Sequence, residues 1–516
     1  MDVQVLVSNH PITTHSWQGT EGTLPVVLCI GGSDSAGLAG ISMDSRCCEA
    51  MGVHAALAIT ATTAQNNDGL YALHGVSAET LSSQIDAALT LQPKAIKIGL
   101  LGSAAQIEML AHKLAPLGLP IVLDTVLATS SQLEGSGNIL DAAAQGALLE
   151  KLLPLATVVT PNLPETSALL GDDIQDLETA AAQLRGHGAD WVVIKGGHAP
   201  DGDEVSDYCH GPGHSFTLTQ PRINTPHLRG TGCAFASLLA AALARGYEVR
   251  DALVIARMAL QQGIENGAGT AGPGGDKQKG CPLPTQFPTG NWPRGVFADL
   301  PPELTFPPCT DDKRPQLGLY PIVDRAHWLQ TLLPLGVNTM QLRIKDLQGE
   351  ALAAEIGSAI TLARRHDCRL FINDYWQLAI DGGAYGVHLG QEDLADADLE
   401  AIRRAGLRLG VSNHCHYELC RALAIKPSYI ATGPVYATNT KDMPWVPHGL
   451  EGLDYWLRSL PGQPLVAIAG IKPHNIGAIA ATGVSGIAII TAVTEAADPE
   501  AATLELMQRI EEARSC

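Results

Sequence analysis

Arg229-Gly230-Thr231-Gly232-Cys233 leads directly into AFASLLAAAL, a stretch dominated by alanine and leucine. A helix starting here would present free N–H groups and the positive end of its dipole, a setting that suits a phosphoryl group in transfer. Gly230 and Gly232 remove the Cβ atoms that would keep such a group at a distance. Cys233, in the same turn, is expected to have its thiolate favoured by that field and to take a proton from a substrate hydroxyl. Upstream, GGSDSAGLAG (residues 31–40) lets backbone N–H groups approach a ligand. Gln65 offers a heterocycle both a donor and an acceptor. Asn162 and Glu165, in TPNLPE, can orient a magnesium ion through water. Lys195, beside two glycines in KGGH, suits the phosphate end of a nucleotide. Each has a plainer reading, as a tight turn, a surface amide or a buried thiol, and the case lies in their occurring together.

The second half carries a different set. Gln341, Arg343 and Lys345 alternate along one apolar run, which would turn all three to the same side. A buried cationic pair there asks for an anion, and a diphosphate would serve. Asp374 and Asp393 end the next two runs as hard oxygen ligands for a magnesium ion that also touches phosphate. Ser412 ends the fifth run, and Thr438, Thr440 and Lys441 follow the sixth. Gly470 ends the seventh, and Ile490 and Thr491 end the eighth. The set has room for a magnesium diphosphate and a separate monophosphate.

Such residues need strands to hold them. In the first half six short apolar runs (residues 26–32, 55–60, 95–100, 121–126, 156–162 and 191–197) alternate with helix-like segments such as 104–117 and 142–155. That alternation predicts a mostly parallel sheet covered on both faces, with ligands beyond the carboxyl ends of its strands. From Gln316 the pattern recurs eight times, which predicts a (β/α)8 barrel with its site at the carboxyl ends. Between the halves, residues 267–315 are dense in proline and glycine and read as a connector. The expected divisions are a lead-in over 1–23, a first domain over 24–275, a linker over 276–315 and a barrel over 316–516.

Bulk properties narrow the class. The 516 residues are 46% hydrophobic and 17% charged, as in an ordinary globular chain. The net charge of -20 argues against nucleic acid or an anionic membrane as the main partner. No run reaches the roughly 18 apolar residues of a membrane span. The first 23 residues lack a basic start and an apolar core, so no secretory signal is expected. Eleven cysteines without a C-x-x-C pair suit a reducing cytoplasm.

Residues 24–275 carry GGSDSAGLAGISMD, TAQNNDG, KIGLL, VLDTV, TPNLPE, IKGGH and GTGC in an order that resembles the ribokinase-like superfamily. More narrowly they resemble hydroxymethylpyrimidine/phosphomethylpyrimidine kinase of thiamine biosynthesis. The resemblance implies a three-layer α/β/α fold with ATP and magnesium as cosubstrates. It places Gln65 on the pyrimidine and Cys233 as the base, in an anion hole made by Gly230, Thr231, Gly232 and Cys233. It puts Lys195 near the phosphates, with Asn162 and Glu165 at the ATP site. The chain departs from the family at Leu38 and Ser42, at residues 128–131, where a lysine is missing, and at Arg229, which replaces a common histidine.

Residues 317–499 resemble thiamine-phosphate synthase through QLRIKD, FINDYWQLA, GVHLGQED, GVSNH, GPVYATNTK and VAIAGI. This implies that Gln341, Leu342, Arg343, Ile344, Lys345, Asn373, Ser412 and Lys441 bind the pyrimidine diphosphate. Asp374 and Asp393 would bind magnesium. Thr438, Asn439, Thr440, Gly470, Ile490 and Thr491 would bind the thiazole phosphate. Together the resemblances imply a bifunctional transferase acting on small molecules, with no nucleic acid or membrane partner, as a homo-oligomer. The alternative is an active synthase whose kinase-like half only binds or senses the pyrimidine.

Overall fold

Each apolar run that reads as a strand in the sequence is a strand in the structure. This is a computed structural model that describes residues 23–127, 140–197, 202–270, 279–438 and 445–515. The chain divides into two units, one ending at Phe297 and the other starting at Ala298.

The strands of the first unit are β1 (Val26–Asp34), β2 (His54–Gln65), β3 (Leu70–Gly75), β4 (Ala95–Ile98), β5 (Ile121–Leu123), β6 (Val158–Val159), β7 (Trp191–Ile194), β8 (Glu204–Gly211), β9 (His214–Pro221) and β10 (Arg294–Phe297). They form one sheet in the order β10-β9-β8-β7-β6-β5-β4-β1-β2-β3. From β7 across to β2 neighbours run parallel, and both edges are antiparallel. Helices cover both faces, giving three layers. On β1, Leu28 and Ile30 join a core with Leu81, Ile85, Ile107 and Leu110 of the helices Ala78–Leu89 and Ala104–Leu114. On its other face the Cys29 thiol lies 4.0 Å from that of Cys48 in the helix Gly40–Ala50. Burial on both sides explains why β1 and β4 to β7 read as continuous apolar runs.

The edge strands β3 and β8–β10 do not appear among those runs. Each of them carries partly or fully exposed residues, so no continuous apolar stretch marks them. A two-residue turn, Pro212-Gly213, joins β8 to β9, and Gly213 has the positive φ of 70° that such a turn uses.

The second unit is a closed parallel barrel of β11 (Gly318–Val323), β12 (Thr339–Leu342), β13 (Arg369–Asn373), β14 (Gly386–Leu389), β15 (Arg408–Asn413), β16 (Tyr429–Thr432), β17 (Leu465–Ala467) and β18 (Gly486–Ile489). Tyr320, Phe371 and Tyr429 fill its interior. Glycine on the neighbouring strands makes room for them. A Cβ on Gly410 would sit 2.1 Å from the Tyr429 ring, and one on Gly386 would sit 2.6 Å from Phe371.

The described part of the expected linker is irregular but packed. In the first unit Cys281 is fully buried, and the Leu283 N–H donates to the Gly263 carbonyl at 2.7 Å. β10 extends the sheet by pairing with β9. In the second unit Leu304, Phe306 and Cys309 are buried. Cys309 belongs to the barrel core, and its carbonyl accepts from Arg369 at 3.1 Å. Apolar residues spaced singly among prolines make no period, yet Cys281, Phe297, Leu300, Leu304, Phe306 and Cys309 are all buried. Among the described residues no helix is long and apolar enough to cross a membrane.

A fragment spanning 298–516 should therefore melt higher than one spanning 316–516. The difference expected from three lost apolar anchors is roughly 5–10 °C. Equal melting temperatures, followed by circular dichroism, would show that residues 298–315 add nothing to the barrel.

Candidate active sites

The first-unit site lies where the parallel strands end. Gly230 caps the helix Thr231–Ala244 with a left-handed backbone, φ 76°. A Cβ on Gly230 would lie 2.3 Å from the Leu38 carbonyl oxygen, so only glycine lets this turn rest on the glycine-rich loop. Lys195 follows β7, and its Nζ donates to Asp124 Oδ1 at 2.9 Å. A Cβ on Gly232 would lie 3.3 Å from that Nζ and 3.7 Å from that carboxylate. Cys233 opens the helix in the same turn, and the Asp124 charge acts on its thiol. The structure thus gathers Gly230, Thr231, Gly232, Cys233 and Lys195, and adds Asp124.

A second pair underlies this turn. Lys97 of β4 and Asp44 of the helix Gly40–Ala50 have no solvent exposure, and the Lys97 Nζ lies 2.9 and 3.1 Å from the two Asp44 oxygens. Ser237 Oγ is within reach of both Asp44 Oδ1, at 2.7 Å, and the Cys233 carbonyl, at 2.8 Å. A third buried pair joins Arg229 to Asp34, at 3.0 Å. Burial opposes the Lys97 charge, but Asp44, Cys233 and Asp124 more than offset it and hold the ammonium protonated. At Lys195, Asp124 and Glu165 offset burial in the same way.

One expectation needs correction here. Cys233 is not an activated thiolate. Burial, helped by Asp124 and Asp44, pushes its thiol up to about 11 against the pull of Lys97. At neutral pH the sulfur keeps its proton. Asn162 and Glu165 have local work as well. They form a reciprocal cap on the helix Leu163–Leu170, Glu165 N–H to Asn162 Oδ1 at 2.8 Å and Asn162 N–H to Glu165 Oε2 at 2.9 Å. Glu165 also faces the site. Burial and the Asp124 charge raise it to about 7 against Lys195. Gln65 ends β2, nearly buried, with its backbone N–H and C=O both bonded to the Ser35 hydroxyl. Residues 128–131 and His198 lie outside the described residues.

In the barrel, Gln341 is buried within β12. Arg343 and Lys345 lie past the end of that strand, at Leu342. The expected buried cationic pair is therefore absent. The Lys345 side chain is 53% exposed, and its Nζ lies 2.5 Å from Asp374 Oδ2, so it already has a carboxylate partner. Leu342 and Ile344 are buried.

Asn373 ends β13, buried, and Asp374 follows it with a left-handed φ of 64° and its N–H on the His388 carbonyl. Asp393 Oδ2 accepts the Gly390 N–H at 3.0 Å. Burial and the Asp374 charge raise Asp393 above the ordinary carboxylate range. Two carboxylates that repel each other in this way suit a shared cation. Among the described residues no group of three or more His, Cys, Asp or Glu could hold a metal. Further oxygens would have to come from substrate or water.

Gly470 has φ 67°, and a Cβ there would meet Tyr436 at 2.6 Å and the Ala437 carbonyl at 2.7 Å. The loops after β16 and β17 therefore touch. Thr438 follows β16, half-buried. Ile490 precedes the short helix Thr491–Thr494, and Thr491 Oγ1 accepts from Lys472 at 2.9 Å. Asn439, Thr440 and Lys441 lie outside the described residues.

Sequence reasoning missed Asp124, Lys97 and Asp44 in the first unit and His388 in the barrel. The signal was present, since a lysine in AIKI and a histidine in GVHL interrupt apolar runs. His388 is buried in β14. Its Nδ1 lies 2.7 Å from the Tyr429 hydroxyl, and its Nε2 lies 3.0 Å from Ser412 Oγ. Tyr429 in turn bonds Tyr320 at 2.8 Å. Ser412, expected at the diphosphate, thus ends a buried polar chain. Burial holds His388 down to about 4, so its ring is neutral and spans one donor and one acceptor.

Comparison with known proteins divides the chain at the same place. The family model for phosphomethylpyrimidine kinase matches residues 34–275, and that for thiamine monophosphate synthase matches residues 319–493. A thiamine-phosphate synthase of Serratia proteamaculans is 54% identical over 210 residues, 40% of this chain and 98% of that protein. One from Salmonella schwarzengrund is 56% identical over 192 residues, 37% of this chain and 91% of that protein. Among solved structures, a pyridoxal kinase from Staphylococcus aureus with ADP is 26% identical with a TM-score of 0.47, covering 53% of this chain and 98% of that one. A phosphomethylpyrimidine kinase from Clostridium difficile is 28% identical with a TM-score of 0.41, covering 47% and 100%.

The neutral histidine gives a pH prediction. An unfolded histidine titrates near 6.5 and buried His388 only near 4. Between those values the unfolded chain holds the extra proton. The contribution of His388 is therefore present above about pH 6.5 and lost as the pH falls toward 4. His448, also held down to about 4 by burial, acts in the same direction. In His388→Gln, the loss of barrel stability between pH 7 and pH 5 in urea titrations should shrink by about 2 kcal/mol. An unchanged loss would place the acid sensitivity elsewhere.

Proposed function

The chain belongs to the thiamine-phosphate synthase family through its barrel and carries a phosphomethylpyrimidine kinase unit before it, and we propose that the first unit makes the pyrimidine diphosphate that the second consumes. It is a bifunctional transferase of thiamine biosynthesis. The substrates are 4-amino-5-hydroxymethyl-2-methylpyrimidine and its monophosphate, with ATP and magnesium, and then 4-methyl-5-(2-phosphoethyl)thiazole. The meeting of Lys195, Asp124 and Cys233 at the first turn of the helix Thr231–Ala244 carries the kinase reading. That grouping favours catalysis over a domain that only senses the pyrimidine.

In the first unit Gln65 holds the pyrimidine, and the Gly230–Cys233 turn with Lys195 receives the transferring phosphoryl group. As the alcohol oxygen bonds to phosphorus and the bond to ADP breaks, the hydroxyl proton goes to Cys233 Sγ. The thiol's own proton passes to the Asp124 carboxylate, whose charge already acts on it. Asn162 and Glu165 line the nucleotide side.

In the barrel Asp374 and Asp393 are the residues that would hold a magnesium ion, which when bound neutralises charge on a departing diphosphate. Gln341, Arg343, Lys345, Asn373, Ser412 and Lys441 hold the pyrimidine diphosphate, with Leu342 and Ile344 contributing backbone. Thr438, Asn439, Thr440, Gly470, Ile490 and Thr491 hold the thiazole phosphate. Loss of diphosphate leaves a ring-stabilised pyrimidine cation, and the thiazole nitrogen forms the new bond.

Two variants test the units separately. Cys233→Ala should lower phosphorylation of the alcohol by roughly 10²-fold or more while thiamine phosphate formation from supplied diphosphate stays at wild type. Kinase turnover near wild type would make Cys233 structural. Asp393→Asn keeps an acceptor for the Gly390 N–H but removes a charge. It should cut synthase turnover at least roughly tenfold and raise the magnesium needed for half-maximal rate, with kinase activity intact. An unchanged magnesium dependence would remove Asp393 from the metal.

A further inference from the structure

We propose that Arg229 is a specificity-determining residue of the first unit, whose guanidinium receives the phosphate already carried by the pyrimidine monophosphate and so favours the second phosphorylation over the first. This deepens the kinase reading above and rests on it.

Arg229 is 7% exposed. Its Nη2 donates to Asp34 Oδ1 at 3.0 Å, and its Nη1 lies 3.4 Å from Asn67 Oδ1. Its Nε is buried without a hydrogen-bond partner. Asp34 ends β1, Asn67 lies two residues beyond Gln65 at the end of β2, and Gly230 is the next residue in the chain. One guanidinium therefore sits where two strand-end loops converge on the first turn of the helix. That is the ground between the residue assigned to the ring and the turn assigned to the transferring group.

The pair with Asp34 does not exhaust this cation. The Asp34 carboxylate also accepts the N–H groups of Ala36 and Leu38, each at 3.0 Å, so the backbone meets part of its demand. A guanidinium has five N–H donors in a rigid fork that matches phosphate. Donors remain, one of them buried, and buried donors ask for an acceptor.

The two acceptor substrates make different demands. The alcohol must lose a proton as its oxygen bonds to the γ-phosphorus and the bond to ADP breaks. The monophosphate has a second pKa of about 6, so at neutral pH its attacking oxygen mostly carries no proton. The same bonds form and break, but no base is needed. The difficulty is instead nearly two negative charges brought up to the nucleotide phosphates. A fixed, permanently charged group beside the acceptor answers that demand, and the alcohol has no use for it.

The test uses the intact chain with the alcohol and the monophosphate as separate acceptors at saturating magnesium ATP. In Arg229→Gln, kcat/KM for the monophosphate should fall by about 30-fold, mainly through KM, the scale of a charge-assisted contact, while kcat/KM for the alcohol changes by less than about threefold. Arg229→Lys keeps the charge without the fork and should keep part of the preference for the monophosphate. Equal losses on both acceptors in Arg229→Gln, with a melting temperature like wild type, would overturn the proposal. If Arg229→Gln melts early, Arg229→Lys decides, and loss of all preference there overturns it. A wild-type chain that phosphorylates neither acceptor would remove the kinase reading, and this proposal with it.

Discussion

Lys97 and Asp44 form an ion pair with no solvent exposure, and the working end of the first unit is arranged above it. Burying two charges is costly, and apolar residues of the same volume often serve stability as well or better. Here the pair has neighbours that apolar residues could not serve. Ser237 links Asp44 to the Cys233 carbonyl, and Lys97 is the strongest influence drawing the Cys233 thiol down against its burial. The field of Lys97 thus reaches the turn to which we assign the transferring phosphoryl group. Lys195 with Asp124 and Arg229 with Asp34 repeat the arrangement nearby, each cation held ready by a carboxylate that a phosphate can relieve.

The barrel meets the same constraint differently. Its charges Lys345, Asp374 and Asp393 stand past the strand ends above a neutral layer, while the buried Arg369 lies at the opposite end, where β13 starts. His388, Tyr429 and Tyr320 satisfy one another, so Ser412 is held by a polar chain that adds no charge. A site that transfers a phosphoryl group between bound partners benefits from fixed cations.

Much of this was legible in the sequence. All eight barrel strands and β1 and β4 to β7 of the sheet showed as apolar runs because both of their faces are covered, and β2 showed as one although Leu57 on it is exposed. The turn at Gly230 was legible because glycine spacing before a helix is local information. The Lys97–Asp44 and Lys195–Asp124 pairs were not, since their partners lie 53 and 71 residues apart. The state of Cys233 was misjudged for a related reason. The helix end is local, but the burial and the carboxylates that outweigh it come from distant strands. Residues 279–309 misled in the opposite direction. Their composition is that of a connector, while their isolated apolar side chains, from Cys281 to Cys309, are packed.

The central claim is that Lys97 and Asp44 are kept for their field at the Gly230–Cys233 turn. The most direct test compares Lys97→Met with the double variant Lys97→Met/Asp44→Leu, each measured for melting temperature and for turnover on the pyrimidine alcohol. The single variant strands a buried carboxylate and should lose both. The double variant replaces the pair by apolar volume and should recover most of the stability, yet remain at least roughly tenfold below wild type in kinase turnover. Recovery of both stability and turnover in the double variant would contradict the account and reduce the pair to a packing element.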